Sequence, residues 1–260
     1  MPTITRVSMR RGCAGLMMMV IMGGAAPALA QAEHAARPSC GEAPSLGSLA
    51  TDTLHDFGRL SSRGAMGLAA IGGVAAFGAH SVDADVTRSF PGVTSLNGAF
   101  KPGAVIGGTP FQLGAAFGTY AIGRAFGHSC AARLGAELVQ AQLMAEGLTM
   151  IFKEATRRSR PEGSGFSFPS GHTTVTFASA TVLQRHFGWK VGIPAYGVAS
   201  YVAASRVEMQ RHYLSDVAFG AALGIVAGRT VPIGHDRRLM LTPIASPSGV
   251  GAGFTLVGSK

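Results

Sequence analysis

The chain has 260 residues, of which 47% are hydrophobic and 13% charged, and a formal net charge of +9. That length suits one sizeable domain and excludes two large ones, and the apolar share excludes a disordered chain. The positive balance suits anionic substrates or an anionic membrane surface, and is too diffuse for nucleic-acid binding.

Residues 1–30 read as a secretory signal. Arg6, Arg10 and Arg11 precede an apolar run from Leu16 to Met22, and Ala28-Leu29-Ala30 forms a small-residue cleavage pattern before Gln31. An uncleaved membrane anchor is the competing reading, and either one exports the domain. Removing three arginines and no acids leaves 19 basic against 13 acidic residues, a net +6. Cys13 departs with the signal, so Cys40 and Cys130 remain as an even pair in an oxidising compartment. A disulfide between them, closing a long loop worth roughly 4–5 kcal/mol in the chain-entropy model, is expected over two separate buried thiols.

Residues 31–60 begin as a polar lead-in with Pro38, Gly41, Pro44 and Gly47, and pass into a first helix near Leu49–Leu60. From Ser61 to Gly127 the pattern is Gly/Ala helices separated by a Gly/Pro/Ser-rich stretch around Pro91–Gly108. Leu134, Leu138, Ala141, Ala145, Leu148 and Phe152 then recur at steps of four and three, one face of an amphipathic helix that delivers Lys153 near its C-terminus. If that helix runs two turns further, Lys153 and Arg160 project on nearly the same side, although Pro161 disfavours helix at the residue before it.

Glu162-Gly163-Ser164-Gly165 reads as a loop, and Pro169-Ser170-Gly171-His172 as a turn opening a helix through Thr173–Phe187. Backbone N–H groups at a helix start are suited to an anion. Val191–Ala204 is an apolar helix ending at Ser205-Arg206. A break is expected between Arg206 and His212, followed by a helix on which His212 and Asp216 share a face. In the tail, residues 239–260, Met240–Ala245 and Gly253–Val257 fit a small β-hairpin. There is no internal repeat.

A spanning helix needs about 20 predominantly apolar residues. The uncharged runs are Gly64–Ala79, Pro102–Gly123, Val191–Ser205 and Val217–Gly228; only the second is long enough, and it is broken by prolines and glycines. Buried core helices in a soluble or peripherally membrane-bound exported domain are therefore favoured over a polytopic inner-membrane protein.

Three stretches carry the chemistry: Lys153-x6-Arg160-Pro161, Pro169-Ser170-Gly171-His172, and Ser205-Arg206-x5-His212-x3-Asp216. Lys153, Arg160 and Arg206 supply the cations that neutralise a phosphate dianion before attack. Backbone N–H groups of Ser170 and Gly171, with the Ser170 hydroxyl, suit a remaining oxygen, glycine permitting close approach. Asp216, by its spacing, suits holding one ring nitrogen of His212. The eleven specified positions together resemble the signature of the type 2 phosphatidic acid phosphatase (PAP2) superfamily, which includes class A acid phosphatases and vanadium haloperoxidases.

The resemblance covers Lys153 to Asp216. It implies an all-α helical bundle over residues 31–238, with His212 as a nucleophile forming a phosphohistidine and His172 as the acid that protonates the leaving alkoxide. No cofactor and no metal are required. The substrate implied is a lipid phosphate or isoprenoid pyrophosphate, with a broad-specificity periplasmic acid phosphatase on soluble monoesters and a vanadate-dependent haloperoxidase as alternatives. Arg157, Arg158, His80, His128, His186 and His235 read as structural, and Asp83 and Asp85 as a polar loop.

Overall fold

The computed structural model describes residues 44–90, 94–233, 237–246 and 249–258, with backbone alone for 94–97 and the last two segments. The signal at residues 1–30, Cys40 and His235 lie outside the described residues. Cys130 is disulfide-bonded.

Nine helices precede a hairpin among the described residues: α1 (Leu46–Arg59), α2 (Arg63–His80), α3 (Asp83–Ser89), α4 (Thr94–Ile106), α5 (Thr109–Ala125), α6 (Ser129–Thr156), α7 (Gly171–Phe187), α8 (Trp189–Glu208) and α9 (Leu214–Thr230). β1 (Arg237–Ser246) and β2 (Gly249–Gly258) pair antiparallel, Leu241 opposite Phe254, a longer hairpin than the sequence pattern outlines. The all-α bundle is thus present, with strands confined to the tail.

Local chemistry sets the helix ends. Ser45 Oγ accepts from Ser48 N–H at 3.1 Å and Ser62 Oγ from Ala65 N–H at 3.3 Å, satisfying donors that a helix start leaves free. Pro110 lies in the first turn of α5, where its missing N–H has no consequence. Gly188, at φ 75°, ends α7 in a conformation that side chains with a Cβ rarely adopt.

The expected Gly/Pro/Ser-rich break at 91–108 is instead largely helix α4, with Pro102 inside it. Packing overrides the proline penalty. Phe100 stacks on Tyr201 of α8 with ring centroids 5.7 Å apart, and the Tyr201 hydroxyl donates to the Ala99 carbonyl. Gly103 lies so close to α8 that a Cβ there would sit 2.5 Å from Ser205 Oγ.

Helix α9 packs against α7 on one side and α2 on another, and also meets α6. Its glycines recur every four residues along the α7 face. A Cβ at Gly224 would lie 2.3 Å from the Thr174 carbonyl oxygen, and one at Gly228 2.6 Å from Thr181 Cβ. The two backbones therefore approach more closely than any larger residue permits. This contact brings the first turns of α7 and α9 together, and Ser170 N–H donates to the Asp216 carbonyl at 3.1 Å. Met144, Val175 and Val182 fill the main core around that seam.

Candidate functional site

Helix α6 delivers Lys153 as expected, but it is not amphipathic along its length, since every residue from Gly135 to Gln142 is buried, and it ends at Thr156, where Arg157 turns left-handed at φ 45°. Arg160 therefore reaches the site from a loop and not along a continued helix. An isolated bridge between Ser159 and Phe166 closes that loop. Lys153 Nζ donates to the Phe166 carbonyl at 2.9 Å, and Arg160 Nε lies 3.3 Å from the same oxygen, so both cations converge despite the helix break.

Helix α8 ends just beyond Arg206, and Gln210 at φ 57° breaks the chain before α9. His212 lies in this connector, one residue before the Tyr213 N-cap, so it does not share a helical face with Asp216 as the spacing implied. Its amide donates to the Arg206 carbonyl at 3.2 Å, which ties nucleophile candidate and cation together. Asp216 sits in the first turn of α9, where its Oδ2 accepts from Tyr213 N–H at 2.9 Å.

The His212 ring is oriented by a group outside the motif. Nδ1 lies 2.7 Å from the Ser167 carbonyl oxygen, which can only accept, so Nδ1 carries the proton and Nε2 keeps its lone pair. Asp216 Oδ2 lies 3.6 Å from Nδ1, a charge contact and not a hydrogen bond. The Ala104 backbone of α4 favours the charged form of His172, and Gly107 stands beside the ring, where a Cβ would be 3.2 Å from His172 Cβ. The Ser170 amide is taken by the Asp216 carbonyl, which corrects the expectation that it faces an anion. Its buried hydroxyl, which accepts from Thr173 Oγ1 at 3.0 Å, remains, as do the amides that open α7 at Gly171 and His172.

The electrostatics are those of an anion site. Burial, followed by the nearby charges of Arg206, His212 and Arg160, pushes His172 down to about 4. Burial holds His212 below its ordinary range as well, with Lys153 and Arg206 adding to the effect and Asp216 opposing it. Lys153 is pushed down to about 8 by burial and by Arg160. Arg206 is buried, and its Nε finds no hydrogen-bond partner. A buried guanidinium donor without an acceptor is costly unless an anion completes it. Both histidines are thus neutral at neutral pH in a pocket of cations. Among the described residues no three His, Cys, Asp or Glu side chains gather as a metal site.

Two residues that sequence reasoning set aside are part of this framework. Arg158 Nη1 donates to Asp216 Oδ1 at 2.8 Å, and its Nη2 donates to Asp83 Oδ2 at 2.8 Å. Asp83 is buried in the first turn of α3 and not in a polar loop. Only the sequence distance of 75 residues hid this pairing. Glu162, in the loop after Arg160, bonds Arg211 Nη1 and lies 3.8 Å from Arg160 Nη1.

Residues 148–239 match the PAP2 superfamily, the family that the motifs resemble. Over 86 residues the chain is 40% identical to lipid A 1-phosphatase of Porphyromonas gingivalis, covering 32% of this chain and 19% of that protein. Over 98 residues it is 36% identical to decaprenylphosphoryl-5-phosphoribose phosphatase of Mycobacterium tuberculosis, covering 34% and 54%. The chain thus spans about half or less of the length of these curated relatives. The crystal structure of a transmembrane PAP2 type phosphatidylglycerolphosphate phosphatase from Bacillus subtilis shares the fold, with a TM-score of 0.51 at 22% identity over 71% of this chain and 92% of that one.

Proposed function

We propose that this chain is an exported, metal-independent phosphatase that acts on a lipid phosphate or isoprenoid pyrophosphate through a phosphohistidine on His212. The observation that carries the reading is the buried Arg206 Nε without a hydrogen-bond partner, with His212 tied to the same residue through its amide. Lys153, Arg160 and Arg206 neutralise the phosphate, and the Ser170 hydroxyl and Gly171 amide take a further oxygen. His212 Nε2 forms a bond to phosphorus as the ester P–O bond breaks, and His172, having taken a proton from the bound phosphate monoanion, gives it to the departing oxygen. Water then attacks the same phosphorus, His172 takes up a proton, and the P–N bond breaks to release phosphate. Three cations in one site supply the charge stabilisation that a metal ion supplies in other phosphatases.

Two observations support a lipid substrate. The relatives named above include lipid A and decaprenylphosphoryl phosphatases. The helices also turn large apolar side chains outward: on α2 Val74 is 74% and Phe77 83% exposed, and Phe111, Ile122 and Ile193 of α5 and α8 follow. An apolar surface of that kind favours seating against lipid. No single described helix is long and apolar enough to cross a membrane, while α1 and α2 pass that test only together, with a 70° bend between them.

The test is phosphate release from phosphatidic acid, an isoprenyl diphosphate and soluble monoesters, with EDTA and without vanadate, using His212→Ala as control. Metal-independent release that His212→Ala abolishes is expected. Halide oxidation on adding vanadate, with no phosphate release, overturns the reading.

A further inference from the structure

We propose that Arg158, anchored by Asp83, is a positioning residue that fixes the Asp216 carboxylate behind His212, and that it is not a phosphate ligand. This rests on the phosphatase reading above. Arg158 lies between Lys153 and Arg160 in the basic run Arg157-Arg158-Ser159-Arg160, beside two of the three cations proposed to bind phosphate. Its guanidinium is already committed elsewhere. Nη1 donates to Ser215 Oγ at 2.7 Å and Asp216 Oδ1 at 2.8 Å, and Nη2 to Asp83 Oδ2 at 2.8 Å. The guanidinium carbon lies 4.0 Å from the centroid of the Tyr213 ring, a cation–π contact on a further side.

Asp83 does more than neutralise the arginine. Its Oδ1 accepts from Ser215 N–H at 2.9 Å and its Oδ2 from Ser215 Oγ at 2.6 Å, so α3 grips the first turn of α9. Burial works to raise the Asp83 carboxyl, but hydrogen bonds from Arg158 and Ser215 outweigh it and hold the group below the usual carboxylate range. His80 Nδ1 stands 3.1 Å from Asp83 Oδ2 at the outer edge of the cluster. The Arg158 side chain is 23% exposed, and the two carboxylates it joins, Asp83 and Asp216, are 5% and 0% exposed.

The consequence is geometric. Arg158 holds Asp216 Oδ1 and Tyr213 N–H holds Oδ2, so neither oxygen is free to turn. The carboxylate stays 3.6 Å behind His212 Nδ1, where its charge opposes the positive charge that builds on the imidazole as Nε2 bonds to phosphorus. A fork that delivers parallel donors and cannot lose its proton suits this task, and lysine would reproduce it poorly.

Steady-state kinetics on the full chain test this, using the ester that the wild type hydrolyses best and inorganic phosphate as competitive inhibitor. Arg158→Ala is expected to lower kcat by about 100-fold, the scale of a misplaced catalytic group, while the phosphate Ki stays near the wild-type value. Added guanidinium should restore part of the lost kcat. Arg206→Ala, by contrast, should weaken phosphate binding. Asp83→Asn, nearly isosteric, and Arg158→Lys should give the same kcat loss at unchanged Ki, and they carry the test if Arg158→Ala does not fold. A phosphate Ki that weakens in Arg158→Ala or Arg158→Lys as it does in Arg206→Ala overturns the proposal, as does an unchanged kcat in folded variants. A wild type that hydrolyses no phosphate ester overturns the phosphatase reading as well, whereas an active wild type with indifferent variants overturns only this one.

Discussion

The dependence of kcat/KM on pH follows from the two depressed histidines. Moving the His172 imidazole from its ordinary 6.5 to about 4 makes its protonation in the empty site less favourable by about 3 kcal/mol. Above about pH 4 the free enzyme therefore carries neutral His172. The proton needed by the leaving group arrives with the substrate, as the phosphate monoanion, whose second ionisation lies near ~6. Bound phosphate reverses the balance: one negative charge at about 4 Å is worth about 4 kcal/mol at an effective dielectric of about 20, enough to move the proton onto His172 in the complex. Above roughly pH 6 the monoanion fraction falls, and kcat/KM should fall about tenfold per pH unit. On the acid side the limit is protonation of His212, itself held below its ordinary range by burial. The expected profile is a bell with its optimum below about pH 6. Deprotonation of Lys153 near 8 steepens the alkaline fall, since that group is charged only below its pKa. Initial rates between pH 3.5 and 9 on a monoester measure this. A flat profile, or an optimum above pH 8, refutes the assignment of the two histidines.

Further expectations follow from individual contacts. His172→Ala should lower turnover of an alkyl phosphate by about 10²–10⁴-fold and that of p-nitrophenyl phosphate far less, because nitrophenolate leaves without a proton; equal losses on both contradict the acid role. Gly224→Ala puts a Cβ 2.3 Å from the Thr174 carbonyl oxygen and should destabilise by about 1–3 kcal/mol, whereas Gly73→Ala, with open space around it, should stabilise by about 0.4–1 kcal/mol; thermal unfolding of both variants compares them. Glu162, held ionised by the Ser164 hydroxyl and Arg211, competes for the Arg160 charge. Glu162→Gln should therefore tighten inorganic phosphate inhibition by up to about 5-fold, the scale of ~1 kcal/mol for an exposed charge at 4 Å, and weaker inhibition contradicts that competition.

What the sequence made legible is what local chemistry dictates. The step of four and three from Leu134 to Phe152 announces α6 because that face must be buried, although the fold buries the other faces too from Gly135 to Gln142, and the signature residues announce phosphate chemistry because few other tasks need three cations and two histidines together. The misreadings arise where a distant partner decides. Pro102 argued for a break until Phe100 and Gly103 found Tyr201 and Ser205 of α8, distant in sequence. The four-residue interval from His212 to Asp216 suggested one helical face, but Asp216 is spent on the Tyr213 amide at the helix start, which leaves His212 outside it and gives its ring to the Ser167 carbonyl. Backbone carbonyls carry no sequence signature, so no motif could have named Ser167. Asp83 and Arg158 were hidden for a related reason: each looks like ordinary surface charge until the fold buries one against the other. The motif thus contains the groups proposed to meet the phosphate. The groups that aim them belong to the fold, and their spacing in sequence is free to vary.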